Sequence, residues 1–267
     1  MHENFWYAFL LTALAGLSTG FGSLIALFAK RTDSRLLCTA LGFSAGVMVY
    51  VSMIELMPES KTTLLNHTGA AQGGWYTIVG FFGGMLLIGL IDMFIPHHIN
   101  PHEVSHIENE ESQSHKDQKL LRMGVLTGLA VGIHNFPEGI ASFLSTLNDP
   151  ATGSMIAVAI AIHNIPEGIA VSLPIYYATG SQKKAFLYSF LSGIAEPVGA
   201  LVGYLFLQPF LNDFILGITF AIVAGIMVFI SFDELLPAAE KFGEHHLSIY
   251  GLISGMLVMA ISLQLTN

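Results

Sequence analysis

Long apolar runs, broken at intervals by short polar stretches, dominate this chain. Eight of them, near residues 5–29, 36–57, 75–95, 123–147, 153–178, 185–207, 214–237 and 247–265, are long enough to cross about 30 Å of hydrocarbon, which takes roughly 20 helical residues. Gly and Pro recur inside them, which suits helices better than barrel strands with their alternation over about ten residues. The pattern predicts an all-α integral membrane protein with eight transmembrane helices, one polytopic domain over residues 1–267. The single long polar interval, PHHINPHEVSHIENEESQSHKDQK at 96–119, reads as a cytoplasmic, disordered His/Glu-rich loop. Its histidines His97, His98, His102, His106 and His115 are candidates for loose metal sensing or buffering.

A second regularity is an internal repeat. Residues from Ala45, AGVMVYVSMIELMP, match those from Ala224, AGIMVFISFDELLP, at a constant offset of 179, so that Ser52 pairs with Ser231, Glu55 with Glu234 and Pro58 with Pro237. More faintly, AGLSTGFGSL in the first segment matches SGIAEPVGAL in the sixth. Segments 1–3 therefore map onto 6–8 around segments 4 and 5. The two units start five segments apart and so enter the membrane from opposite sides. Such an inverted repeat is a common plan for alternating-access transporters, with the substrate site near the midplane.

Composition and charge agree with this setting. The chain is 53% hydrophobic and 11% charged with a mean hydropathy of +0.64, against about 25% charged residues in soluble domains. The start, MHENFWYAFLLTAL, lacks the basic region and cleavage site of a secretory signal, so the first segment is expected to be retained. One cysteine, Cys38, excludes an intramolecular disulfide framework and a thiolate-rich metal site. Ten Lys and Arg without a basic cluster set nucleic-acid binding aside. With the N-terminus outside, Lys30, Arg31, Arg35, Lys116, Lys119, Arg122, Lys183, Lys184 and Lys241 fall in cytoplasmic loops and only Lys61 outside, a positive-inside bias that puts both termini outside.

The candidate chemistry lies at mid-segment. HNFPEG at His134–Gly139 and HNIPEG at His163–Gly168, 29 residues apart, put a metal ligand, an amide, a helix breaker and a carboxylate inside apolar runs. Polar groups at that depth are expensive and default to a functional reading. His134 and Glu138 are four residues apart and share a helix face, as do His163 and Glu167, so each pair can grip an ion from one side. Asn135 and Asn164 lie about 100° round and border a neighbouring position, which lets each Glu bridge two sites. Segments 4 and 5 are consecutive, hence antiparallel, so the motifs can meet face to face. Pro137 and Pro166 free the carbonyls of Ile133 and Ile162. Glu196, followed by Pro197 at the middle of segment 6, adds a third carboxylate. Three carboxylates at one depth need a counter-ion, either divalent cations or protons.

The paired HNxPEG motifs, the AEP of segment 6 and the His-rich loop after segment 3 resemble the ZIP family of divalent metal transporters, and most of all its bacterial, broad-specificity members. The resemblance covers essentially the whole chain. It implies a 3+2+3 arrangement of eight helices, uptake toward the cytoplasm of a bacterial inner membrane, and a binuclear centre at mid-membrane. It places His134, Glu138, His163 and Glu167 at one metal. It places Asn135, Asn164 and Glu196 at the second, with Glu138 and Glu167 bridging. Many animal and plant members carry other residues in these motifs, a difference that bears on metal preference.

The flanks suggest a route. Glu55 and Glu59 end segment 2 on the outer side. Asp233 and Glu234 end segment 7 on the inner side, followed by Glu240, Glu244, His245 and His246 as an exit relay, while Asp92 ends segment 3. Met48 and Ser52 share a face of segment 2 and are candidates for weak ligation. Imidazole, carboxylate and amide donors suit Zn²⁺, Fe²⁺, Mn²⁺, Co²⁺ and Cd²⁺ as transported substrates. No organic cofactor is expected, and the expected partners are divalent metal ions and the lipid bilayer. Gly80 and Gly84 in GFFGG suit helix packing within one chain or in a homodimer. Two other classes stay open at this point. A proton or monovalent-cation carrier would use the carboxylates but leaves the histidines unexplained, and an intramembrane metallohydrolase needs no duplicated motif.

Overall fold

The computed structural model describes residues 3–24, 34–94, 113–207, 212–242 and 245–266. Among them are eight consecutive helical spans and no strand: α1 (Phe5–Gly22), α2 (Ser34–Thr68), α3 (Ala70–Phe94), α4 (Gln113–Asn148), α5 (Pro150–Thr179), α6 (182–207), α7 (213–242) and α8 (His245–Thr266). Seven are long and apolar enough to cross a membrane. The other, α4, carries His134, Asn135, Pro137 and Glu138 within its apolar run. The outward faces are apolar too: Phe82 and Leu86 on α3 and Ile253 and Leu257 on α8 are all more than half exposed. A surface of that kind belongs against lipid.

Local signals set the breaks. Gly69, at φ 87°, separates α2 from α3, and Gly180, at φ 66°, ends α5. Both conformations favour glycine. Asp149 caps α5 by accepting from the Ala151 N–H at 3.0 Å, with Pro150 at the first helical position. Asn212 caps α7 by accepting from the Ile215 N–H at 3.0 Å. Helix α4 starts at Gln113, so the last seven residues of the loop expected over 96–119 form its first two turns. The backbone of His115 belongs to that helix, whereas His97, His98, His102 and His106 lie outside the described residues.

The repeat appears in the packing. Exchange of α1 with α6, α2 with α7, α3 with α8 and α4 with α5 maps the helix neighbours onto one another. Thus α2 packs on α8 as α7 packs on α3, α4 on α6 as α5 on α1, and α2 touches α5 as α7 touches α4. Helices α1, α4, α5 and α6 form one group and α2, α3, α7 and α8 the other.

The correspondence reaches individual backbone atoms. A Cβ added at Gly46 would overlap the Leu252 carbonyl oxygen, and one at Gly225, 179 residues on, would overlap that of Phe81. Gly84 meets α7 as Gly255 meets α2. Gly80 and Gly84 thus pack α3 on α7 within the chain. Helices α2 and α7 each contain one π turn, Ser52–Leu56 and Ser231–Leu235. Pro58 and Pro237 lack the N–H that would return to Ile54 and Asp233, and the Ser hydroxyls donate to Met48 and Met227 at 2.7 and 2.8 Å.

Candidate metal centre

The two HNxPEG motifs face each other on antiparallel α4 and α5, and Glu196 joins them from α6. The glycine that ends each motif permits this approach. Gly139 lies so close to α6 that a Cβ would overlap the Glu196 carbonyl oxygen, and Gly168 stands in the same relation to Thr19 of α1. All seven candidate ligands, His134, Asn135, Glu138, His163, Asn164, Glu167 and Glu196, are at most 1% exposed.

The pairing runs crosswise. His134 Nε2 lies 2.9 Å from Glu167 Oε1, and His163 Nε2 lies 2.9 Å from Glu138 Oε1. The i,i+4 spacing within each motif orients both side chains toward the facing helix, and each His takes the other motif's Glu. The first contact has hydrogen-bond geometry; the second is an ion-pair approach without it. The amides brace the same centre. Asn135 donates from Nδ2 to the Ser192 carbonyl at 3.3 Å. Asn164 donates to the Ala15 carbonyl at 2.9 Å and to Glu196 Oε1.

Much donor capacity remains. Both oxygens of Glu138, Oε2 of Glu167 and Glu196, Oδ1 of both asparagines, Nδ1 of both histidines and Nε2 of His163 are buried without a hydrogen-bond partner. Each such group costs about 1–3 kcal/mol when left unmatched. The set is rich in carboxylate and amide oxygens with two imidazoles and no thiolate, the donor chemistry of borderline divalent cations. Among the described residues no three His, Cys, Asp or Glu side chains converge as a ready metal cluster. The crossed His–Glu pairs hold these side chains on one another.

One buried polar residue that the repeat matches to Glu196 was not marked in the sequence. Aligning AGLSTGFG with SGIAEPVG at Gly16 and Gly193, which pack reciprocally, sets Thr19 opposite Glu196. Thr19 is buried and its Oγ1 has no partner. The faint repeat contained the signal, but it lacked a charged residue at that position to mark it.

The flanking candidates separate. Met48 and Ser52 are fully buried in the α2 core, and the Ser52 hydroxyl is spent on the Met48 carbonyl. Glu55 and Glu59 are half-buried near the π turn of α2, and Asp233 is half-buried in that of α7. Glu234 is buried and lines a small cavity with Ile88, Leu126 and Ile133, next to His134. His245 is exposed and sits 2.8 Å from Glu240, with its ring 5.6 Å from that of His246. Glu244 lies outside the described residues.

The family model described as "ZIP Zinc transporter" matches residues 95–263. The protein named "Zinc transporter ZupT" from Streptococcus mutans is 60% identical over 265 residues, 99% of each chain. Its namesake from Oceanobacillus iheyensis is 62% identical over 98% of this chain and 99% of its own. That from Clostridium perfringens is 56% identical over 98% of this chain and 97% of its own.

Proposed function

The chain belongs to the ZIP zinc-transporter family, and from that membership we propose that it imports divalent transition-metal cations, zinc foremost, into a bacterial cytoplasm through a two-ion centre at mid-membrane. It is a transporter of that family rather than an enzyme. Fe²⁺, Mn²⁺, Co²⁺ and Cd²⁺ fall within the range of the same donors.

The observation that carries this reading is the buried cluster of crossed His–Glu pairs surrounded by unpartnered donor atoms. A divalent cation entering between α4 and α5 takes His134, Glu138, His163 and Glu167 as ligands and replaces the His–Glu contacts. A second takes Asn135, Asn164 and Glu196, with Glu138 and Glu167 bridging. The amide N–H groups already held by Ser192 and Ala15 orient Oδ1 of each Asn, so ligand orientation precedes the ion. Binding removes the cost of three buried carboxylates, and release restores the His–Glu pairs, which lowers the barrier to leaving. The inverted repeat gives a route to opposite openings around one fixed centre. A proton or monovalent-cation carrier uses the carboxylates alone and leaves the imidazole of each pair without a role.

The test is uptake of Zn²⁺, Mn²⁺ and Fe²⁺ into proteoliposomes by the wild type and by Glu138→Ala/Glu167→Ala. Zn²⁺ flux that the folded double mutant loses supports the reading. A folded wild type that moves no divalent ion, or a double mutant with unchanged flux, overturns it.

A further inference from the structure

Away from the metal centre, a cavity of about 670 Å³ runs between α4 and α6. Its size lies within the roughly 300–1,000 Å³ of small-ligand sites. The walls are apolar, formed by Val125, Leu129 and Phe136 of α4 and by Tyr188 and Leu191 of α6, with Gly128 and Gly132 also lining it. Leu129 and Leu191 are each about half exposed, so the groove opens sideways onto the lipid-facing surface.

Two basic residues lie one helical turn beyond the end of this groove. Arg122 lies on the same face of α4, one turn before Val125, and its Nε and Nη2 are buried with no acceptor among the described residues. Lys184 stands in the same relation to Tyr188 on α6 and is exposed. Gly132 of α4 meets Ser192 of α6 and Gly203 of α6 meets Ile140 of α4, offsets of 60 and 63 residues, and Lys184 follows Arg122 by 62, which sets the two cations near one level. Arg122 precedes His134 by twelve residues, and Lys184 precedes Glu196 by twelve. Twelve residues of helix span about 18 Å. Half the hydrocarbon thickness is about 15 Å, so with the centre at mid-membrane both cations stand at headgroup depth.

We propose that this groove is a binding site for one anionic phospholipid, with an acyl chain along α4 and α6 and its phosphate on Arg122 and Lys184. A partly exposed guanidinium whose Nε and Nη2 have no acceptor among the described residues suits an anion that can accept from both, and phosphate does so in bidentate fashion. The apolar walls extend from Val125 to Phe136, about 16 Å, and require a chain that a free phosphate lacks. Ser192, whose carbonyl holds Asn135, also lines the groove, so a bound chain braces the helix pair that carries the centre.

The test reads lipid binding and is independent of flux. Purified protein in detergent is titrated with dioleoylphosphatidylglycerol or dioleoylphosphatidylcholine, and bound lipid is counted by native mass spectrometry. The wild type retains one phosphatidylglycerol with about tenfold preference, the scale of one charge-assisted contact. Arg122→Gln loses the preference, Arg122→Lys, which keeps the charge but not the two-pronged geometry, retains only part of it, and Leu129→Trp, which fills the open side, lowers retention of both lipids. Equal retention of the two lipids by the wild type overturns the proposal. So does a preference that survives Arg122→Gln, displacement of the lipid by millimolar inorganic phosphate, or a second copy covering the groove, seen as a dimer that retains no lipid. Should Arg122→Gln fail to elute as a folded species, Arg122→Lys and Leu129→Trp still decide.

Discussion

Glu196 has no twin, although nearly everything around it does. The carbonyls of Ala15 and Ser192, Gly16 with Gly193, and the two asparagines all occur as symmetric pairs, yet Glu196 of α6 is matched in α1 by the neutral Thr19. Asn164 therefore donates to a carboxylate, whereas no carboxylate stands beside Asn135 at the matching position. The asymmetry limits the proposed centre to three carboxylates, which leave two divalent cations with one residual positive charge, where a duplicated set of four would neutralise both. Glu196→Thr restores the symmetry and removes the carboxylate assigned to the proposed second ion. Its bound zinc, counted by plasma mass spectrometry after dialysis, should fall from two per chain to one while the protein elutes unchanged. Two ions retained would remove Glu196 from the centre, and none retained would make the two positions inseparable.

At the level of elements, contact between helices depends on missing side chains. Gly225 and Gly46 hold α7 on α3 and α2 on α8 at backbone distance, whereas Gly83 has open space where a Cβ would go. Gly225→Ala forces the helices apart and should cost about 1–3 kcal/mol as an overpacking substitution. Gly83→Ala, which gains helix propensity without a clash, should be neutral or stabilising by up to about 1 kcal/mol. Thermal unfolding in detergent checks both, and a Gly225→Ala melting point equal to wild type would contradict the packing. The helices themselves were legible because a run of about twenty apolar residues has few other uses. The facing of His134 and Glu138 toward α5 was legible from i,i+4 spacing. The crossed partners were not, because spacing within one helix says nothing of the distance to the next. That distance is set by glycines on the α4–α5 face, Gly124 and Gly128 against Ile175 and Val171 and Gly153 against Thr146. The π turns were equally hidden. Pro58 and Pro237 announce a broken hydrogen bond, but whether the helix kinks or widens depends on Ser52 and Ser231 bonding the preceding turn.

The whole molecule has two chemically distinct ends. One carries Trp6 and Tyr7 at the start of α1 and Trp75 and Tyr76 near the start of α3, and there the Tyr7 hydroxyl meets Ser154 of α5 at 2.8 Å. Aromatic side chains of this kind favour the boundary between headgroups and hydrocarbon. The other end carries Arg35 at the start of α2, Arg122 in α4, and Lys183 and Lys184 at the start of α6. With an even number of spans both termini share a side, and basic residues are held on the cytoplasmic face. The aromatic end, with the start of α1 and the end of α8, should therefore face outward. In a Cys38→Ala background, Glu3→Cys and Gln264→Cys should react with a membrane-impermeant maleimide on intact cells, and Lys183→Cys only after permeabilisation. The reverse labelling would invert the proposed transport direction relative to Glu55 and Glu234, because each acidic π turn would then serve the opposite face. The buried pairs between α4 and α5 would be unaffected, since the pseudo-twofold relation makes the centre nearly the same seen from either side.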